Sequence, residues 1–190
     1  MAEAPPKAQG TQIVILGSGT PVSDPDRYGP CVAIVVGDSS FIVDAGVGVV
    51  RRATATKIPA LKTRNLKRVF ITHLHSDHTL GLPDLMLSGA VLHREAPLAM
   101  WGPHGLKEMS EHIFAAWKKD IDIRVGGLEK GDANAYTAEV HEIEPGEIYK
   151  DDKVAIRAFK VQHGSWDEAF GYRFDTPGRT IVLSGLFPAK

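Results

Sequence analysis

An internal disulfide is excluded in this chain of 190 residues, because Cys31 is its only cysteine. A lone thiol leaves the redox compartment open. Long hydrophobic runs are also missing: no stretch of 18 apolar residues occurs, so no membrane partner is expected. Neither sign of charge dominates. Twenty-two Lys and Arg stand against 23 Asp and Glu, a formal net charge of -1, without the basic footprint of a nucleic-acid binder. Residues 1–10 lack the apolar core of a signal peptide and read as a flexible N-terminus. Localisation stays open between the cytoplasm and, for a mature secreted form, the periplasm. No repeat, low-complexity tract or splitting linker is visible. What remains is ordinary globular composition, 43% hydrophobic and 24% charged, which predicts a single domain over 1–190 with enough chain to bury a core.

The chain is rich in histidine at one place. Residues 73–78 read His-Leu-His-Ser-Asp-His, directly after the apolar run Val69-Phe70-Ile71-Thr72. Positions two apart project to the same side of an extended chain, so His73 and His75 can share a metal. The adjacent Asp77 and His78 diverge toward a second point. One short loop can thus offer two ligands to each of two ions. Imidazole with carboxylate suits zinc, one or two ions, and without thiolate also suits manganese or iron. The alternative is a histidine-rich surface loop that binds metal adventitiously. His93, His104, His112 and His141 lack ligand spacing and read as surface or structural residues.

The apolar pattern predicts alternating strands and helices. Strands are expected at 12–16, 31–36, 41–43, 67–72, 97–101, 136–143, 153–161, 169–174 and 180–183. Helices are expected at 47–56, 80–92 (with Pro83 tolerated in the first turn) and 105–119. Asp44 precedes Ala45-Gly46 and reads both as a turn or helix-capping aspartate and as a group behind the ligands that orients the metal loop. Gly17-Ser18-Gly19 lacks a full dinucleotide fingerprint and reads as a tight turn. Trp166 and Phe170 follow His163 and are expected in core packing, with the lining of a substrate pocket as the alternative. Lys62, Arg64, Lys67 and Arg68 form a small basic cluster, expected to be a solvated loop.

His73-x-His75-x-Asp77-His78 after a strand resembles the signature of the metallo-β-lactamase superfamily. Phe41-Ile42-Val43-Asp44-Ala45-Gly46, His163-Gly164 and Ile181-Val182-Leu183-Ser184-Gly185 resemble its flanking motifs, and Leu16-Gly17-Ser18-Gly19-Thr20-Pro21 resembles the ribonuclease Z and arylsulfatase-like branch. The resemblance implies an α/β fold, an αβ/βα sandwich with its C-terminal part missing here. It implies that His73, His75 and His163 hold one metal, with a fourth position for a water that the metal activates. Asp77 and His78 would begin a second site, and Asp77 would act as general base. Leu186 stands where the family has a bridging aspartate, and a later metal histidine has no counterpart. A second ion is therefore expected to bind weakly.

The function so implied is a metal-dependent hydrolase of a small-molecule ester, sulfate or phosphodiester. A ribonuclease Z-like tRNA 3′-processing nuclease is the less favoured alternative, since the inserted arm usual in those enzymes is absent between Gly171 and Thr180. A β-lactam hydrolase and an inactive fragment are further alternatives. Half a sandwich would expose an apolar face, which predicts a homo-oligomer.

Overall fold

The computed structural model describes residues 10–185. Leu186, and all of the expected flexible start except Gly10, lie outside the described residues. Two sheets form the scaffold. The first runs in the order β1 (Thr11–Gly17), β2 (Cys31–Val36), β3 (Ser39–Val43), β4 (Arg68–Phe70), β5 (Leu98–Gly102) and β6 (Ala138–Glu142). Its first three strands are antiparallel, and β3 to β6 are parallel. The second sheet is antiparallel, in the order β10 (Arg179–Leu183), β9 (Phe170–Thr176), β8 (Ala155–Lys160), β7 (Gly146–Lys150).

Parallel neighbours need crossovers, and helices supply them. α1 (Val49–Ala55) joins β3 to β4. α2 (Ser76–Thr79) and α3 (Leu82–Val91) join β4 to β5, and α4 (Leu106–Ala116) and α5 (Lys118–Gly126) join β5 to β6. Side chains alternate across each strand, so the first sheet feeds two cores. Ala33, Val35, Ile42, Val69 and Met100 pack against the helices with Val49, Leu82, Leu85 and Leu106. Ile34, Phe41, Val43, Phe70 and Trp101 face the second sheet and meet Ile156, Phe170, Tyr172 and Phe174. Phe70 stacks on Trp101 with centroids 4.7 Å apart.

The expected elements are present with shifts of a few residues, and three features differ. β7 was not expected, because Gly146-Glu147-Ile148-Tyr149-Lys150 carries only two apolar residues and lies half exposed at an edge. The helix expected to end at 119 breaks at Trp117, and the chain continues as α5, which fully buries no residue, leans Ile121 and Val125 on Ala90, Ala135 and Tyr136, and carries the i,i+4 pairs Lys118–Asp122 and Arg124–Asp120. The apolar face expected to lie open is covered by the chain's own second sheet, so the stated reason for an oligomer falls away. Among the described residues no helix covers the outer face of that second sheet, which presents Arg157, Arg173, Thr180 and Val182 to solvent.

Candidate metal centre

β3 and β4 run parallel and end side by side, which brings their following loops together. Backbone bonds lock that junction. Asp44 N donates to Phe70 O at 2.9 Å, Ala45 N to His78 O at 2.8 Å, and Gly81 N to Ala45 O at 2.8 Å. Phe170 N donates to Thr72 O at 2.8 Å, tying in the second sheet and the loop that carries His163.

Three imidazoles converge there. His73 Nε2 lies 2.9 Å from His75 Nδ1, and His163 Nε2 lies 3.1 Å from the same atom. Asp77 and His78 stand beside them, with Asp77 Oδ2 3.7 Å from His78 Nε2 and the His73 and His78 ring centroids 4.2 Å apart. The structure therefore brings His73, His75 and His163 together, with the Asp77–His78 pair beside them.

Asp44 organises this cluster from behind. It is buried, and its backbone sits in the left-handed region at φ 61. Its carboxylate accepts from Thr72 N at 2.8 Å, from Thr72 Oγ1 at 3.0 Å and from His78 Nδ1 at 2.8 Å. It caps no helix; α1 starts at Val49, after Gly48 at the N-cap position, without a side-chain cap. The Thr72 hydroxyl hydrogen is spent on Asp44, so Thr72 Oγ1 accepts from His73 Nδ1 at 2.9 Å. His73 thus carries its hydrogen on Nδ1 and turns a bare Nε2 inward. A neutral His78 does likewise, with Nδ1 donating to Asp44 and Nε2 facing Asp77. One carboxylate thereby sets the tautomer of two histidines, the arrangement that prepares imidazole for metal ligation.

Electrostatics follow from burial and crowding. Burial pushes His73 down to about 3, and the neighbouring His78, His163 and His75 push the same way. Burial opposes charge on His78 too, yet the Asp44 hydrogen bond and charge, with Asp77, raise it above the usual histidine value. His163 is lowered, by burial first and then by His75 and His78. His73 is therefore neutral at physiological pH, as a ligand must be.

Beside the cluster lies a cavity of about 560 Å³, lined by Thr20, Pro21, Val22, Arg27, Ser76, Asp77 and Leu80 among others. Its wall is the segment after β1, held by Gly19 N donating to Tyr28 O at 2.7 Å. Gly17 belongs there because a Cβ would meet Gly29 O at 1.9 Å. That glycine turn serves close backbone approach.

Two residues play parts that the sequence did not show. Trp166 is not core: its indole Nε1 donates to His75 Nε2 at 2.7 Å, whereas Phe170 is fully buried as expected. His104 pairs with Glu168 at 2.8 Å, and with Glu144 it forms a surface group whose donor atoms lie within 4.8 Å of one another. Residues 75 and 166 are far apart in the chain, so no local spacing could reveal their contact. The basic cluster sits at the other end of β4, with the Arg68 guanidinium over the Phe41 and Tyr149 rings at 5.3 and 5.5 Å.

Comparisons with known proteins agree with this geometry. A ribonuclease Z of Mycobacterium marinum (strain ATCC BAA-535 / M) is 36% identical over 178 residues, covering 92% of this chain and 62% of the relative. A ribonuclease Z of Mycobacterium avium (strain 104) is 34% identical over the same shares. The chain thus spans 62% of the length of these curated relatives. Among solved structures, human tRNase Z, short form, superposes with a TM-score of 0.71 at 22% identity, covering 91% of this chain and 68% of that one. The metallo-beta-lactamase fold protein YhfI from Bacillus subtilis gives a TM-score of 0.69 at 14% identity, covering 95% of this chain and 64% of that one. These two likenesses bear on the fold alone. A model of the beta-lactamase superfamily domain matches residues 40–185, most of the chain and every residue of the cluster, and the chain belongs to that superfamily.

Proposed function

We propose that this chain is a metal-dependent hydrolase that cleaves phosphodiesters in the manner of a ribonuclease Z. The observation that carries the reading is the convergence of His73 Nε2, His75 Nδ1 and His163 Nε2 beside the Asp77–His78 pair. The neutral His73, with its bare Nε2 turned inward beside His75 and His163, fits a zinc ion, and the same donor types accept manganese or iron. His73, His75 and His163 would hold the ion, which would supply Lewis acidity and a water whose pKa is lowered toward about 7. The chain's own residues do the rest. Asp77 lines the cavity and takes a proton from the attacking water as general base. Arg27, on the same wall, is paired with Asp24 at 3.5 Å and would have to leave that carboxylate to meet an anionic ester. The identity to ribonuclease Z relatives supports RNA as the substrate.

A second reading, a small-molecule phosphodiester or related ester, rests on one observation. β9 passes to β10 through Pro177–Gly178 alone, with Thr176 paired to Arg179, so no RNA-gripping arm is inserted in that hairpin.

Hydrolysis of bis(p-nitrophenyl) phosphate and of a precursor tRNA, each with and without chelator, tests both. Chelator-sensitive cleavage of the precursor tRNA supports the first reading. Cleavage of the small ester alone supports the second, and cleavage of neither rejects both. Asp77→Asn is expected to lose about 10²–10⁴-fold in turnover at normal metal content. Full turnover would remove Asp77 as the base.

A further inference from the structure

We propose that Lys57, Lys62 and Arg64 form a docking site for single-stranded RNA at the end of the fold opposite the metal centre. The inference rests on the RNA reading above and concerns how a remote part of the strand is held.

Local turns build the site. α1 is capped at Thr56, and Lys57 reverses the chain in the left-handed region at φ 58. Two 3-10 turns follow, Pro59–Leu61 and Thr63–Asn65. Asn65 Nδ2 donates to Pro59 O at 2.8 Å and folds one turn onto the other. The Thr54 and Thr63 hydroxyls meet at 3.2 Å and tie the second turn back to α1. The result is a cavity of about 480 Å³, lined by Lys57, Lys62, Arg64, Ile58 and Leu92 with those two threonines.

Charge decides what fits there. All three cations are exposed, and no carboxylate lines the cavity. Among the described residues none of the three has a carboxylate within ion-pair distance. Other surface cations are spent within the chain: Arg51 on Asp84, Arg124 on Asp120 and Glu129, and Arg173 on Asp175. A polyanion therefore displaces no carboxylate here, and each phosphate contact releases counterions. The formal net charge of -1 hides this local excess. Between the cations the wall is apolar, with Ile58 half-buried and Leu92 exposed. Such a wall takes the face of an unstacked base, which a single strand can offer and a duplex cannot. Six residues lead from Lys67, at the foot of β4, to His73, about 20 Å of extended chain. The cavity thus holds a part of the strand remote from the cleaved bond.

The test is titration of a labelled oligouridylate over a salt series, read by fluorescence anisotropy with chelator present so that nothing is cut. Three phosphate contacts to a single strand predict a slope of about −2 in log affinity against log salt. Lys62→Gln/Arg64→Gln, at two exposed positions, is expected to bind more weakly and to lose about 1.4 of that slope. Lys150→Gln/Arg179→Gln, the same loss of charge on exposed positions of the second sheet, is expected to match the wild type. Equal slopes in all three chains, equal losses in both doubles, or uridine monophosphate competing as well as the oligomer overturns the docking site. Oligomer held through the cavity by a chain that cuts no precursor tRNA keeps the docking site and rejects the nuclease reading. Cleavage of the precursor with unchanged slopes does the reverse.

Discussion

At the scale of single residues, Asp44 shows how a buried carboxylate governs chemistry it need not touch. It fixes Thr72 and His78 directly and His73 through Thr72. Asp44→Asn preserves the shape, and asparagine tolerates the left-handed backbone at φ 61. One oxygen remains for Thr72, but an amide N–H now faces His78 Nδ1. His78 is then expected to move its hydrogen to Nε2, toward Asp77. Zinc affinity at the Asp77–His78 side should fall about 10–100-fold, with the fold retained. Calorimetric zinc titration reads this directly, and unchanged binding would mean that Asp44 does not orient His78. The His-x-His-x-Asp-His run was legible because its ligands are neighbours in the chain. The reach of Asp44 to residues 72 and 78, and of Trp166 to His75, was not, because only parallel pairing and the second sheet bring those segments together.

At the scale of elements, the site depends on loops packed backbone to backbone. Gly81 sits where a Cβ would meet Gly46 O at 2.3 Å, at the start of the helix that follows the metal loop. Gly81→Ala is expected to destabilise by about 1–3 kcal/mol through overpacking, seen as a lower urea midpoint. A wild-type midpoint would show that this junction yields without strain.

The loop bearing His163 has a strap of its own, the His104–Glu168 pair at 2.8 Å. The Glu168 hydrogen bond and charge raise exposed His104 above the usual histidine value, with smaller help from Glu142 and Glu144 against slight burial. A raised pKa means that the charged part of the strap is at full strength below about pH 6.5 and is lost as pH rises through the raised value, while His104 N still donates to Glu168 at 2.8 Å. Amide protection in loop 161–169, corrected for intrinsic exchange, should therefore decrease as pH rises above about 6.5. His104→Ala should remove that dependence, and protection that stays flat in the wild type would dismiss the strap. Long strands with alternating Val and Ile were legible in the sequence, whereas β7 and α5 were not. β7 is a half-exposed edge, and α5 has only the narrow, partly buried pair Ile121 and Val125 against Ala90, Ala135 and Tyr136, so neither carries the burial pattern that reveals an element.

At the scale of the whole molecule, the two sheets share one aromatic cluster. Phe70 contacts Phe41, Trp101, Tyr149, Tyr172 and Phe174, and so spans both sheets. Phe70→Ala is expected to cost about 3–5 kcal/mol with a single urea transition retained. Two separate transitions in the wild type would show that the sheets fold as independent units. The sandwich was legible from its motifs. The helix-free outer face of the second sheet and the covered inner face of the first were not, because sequence pattern says which residues are buried but not which element buries them.

Zinc content is the most direct measurement, taken by elemental analysis on wild-type chain and on His163→Ala, both purified without chelator. The expected result is at least about one ion per chain in the wild type, largely lost in His163→Ala. A zinc-free wild type, or equal zinc in both, would contradict a metal centre built from His73, His75 and His163.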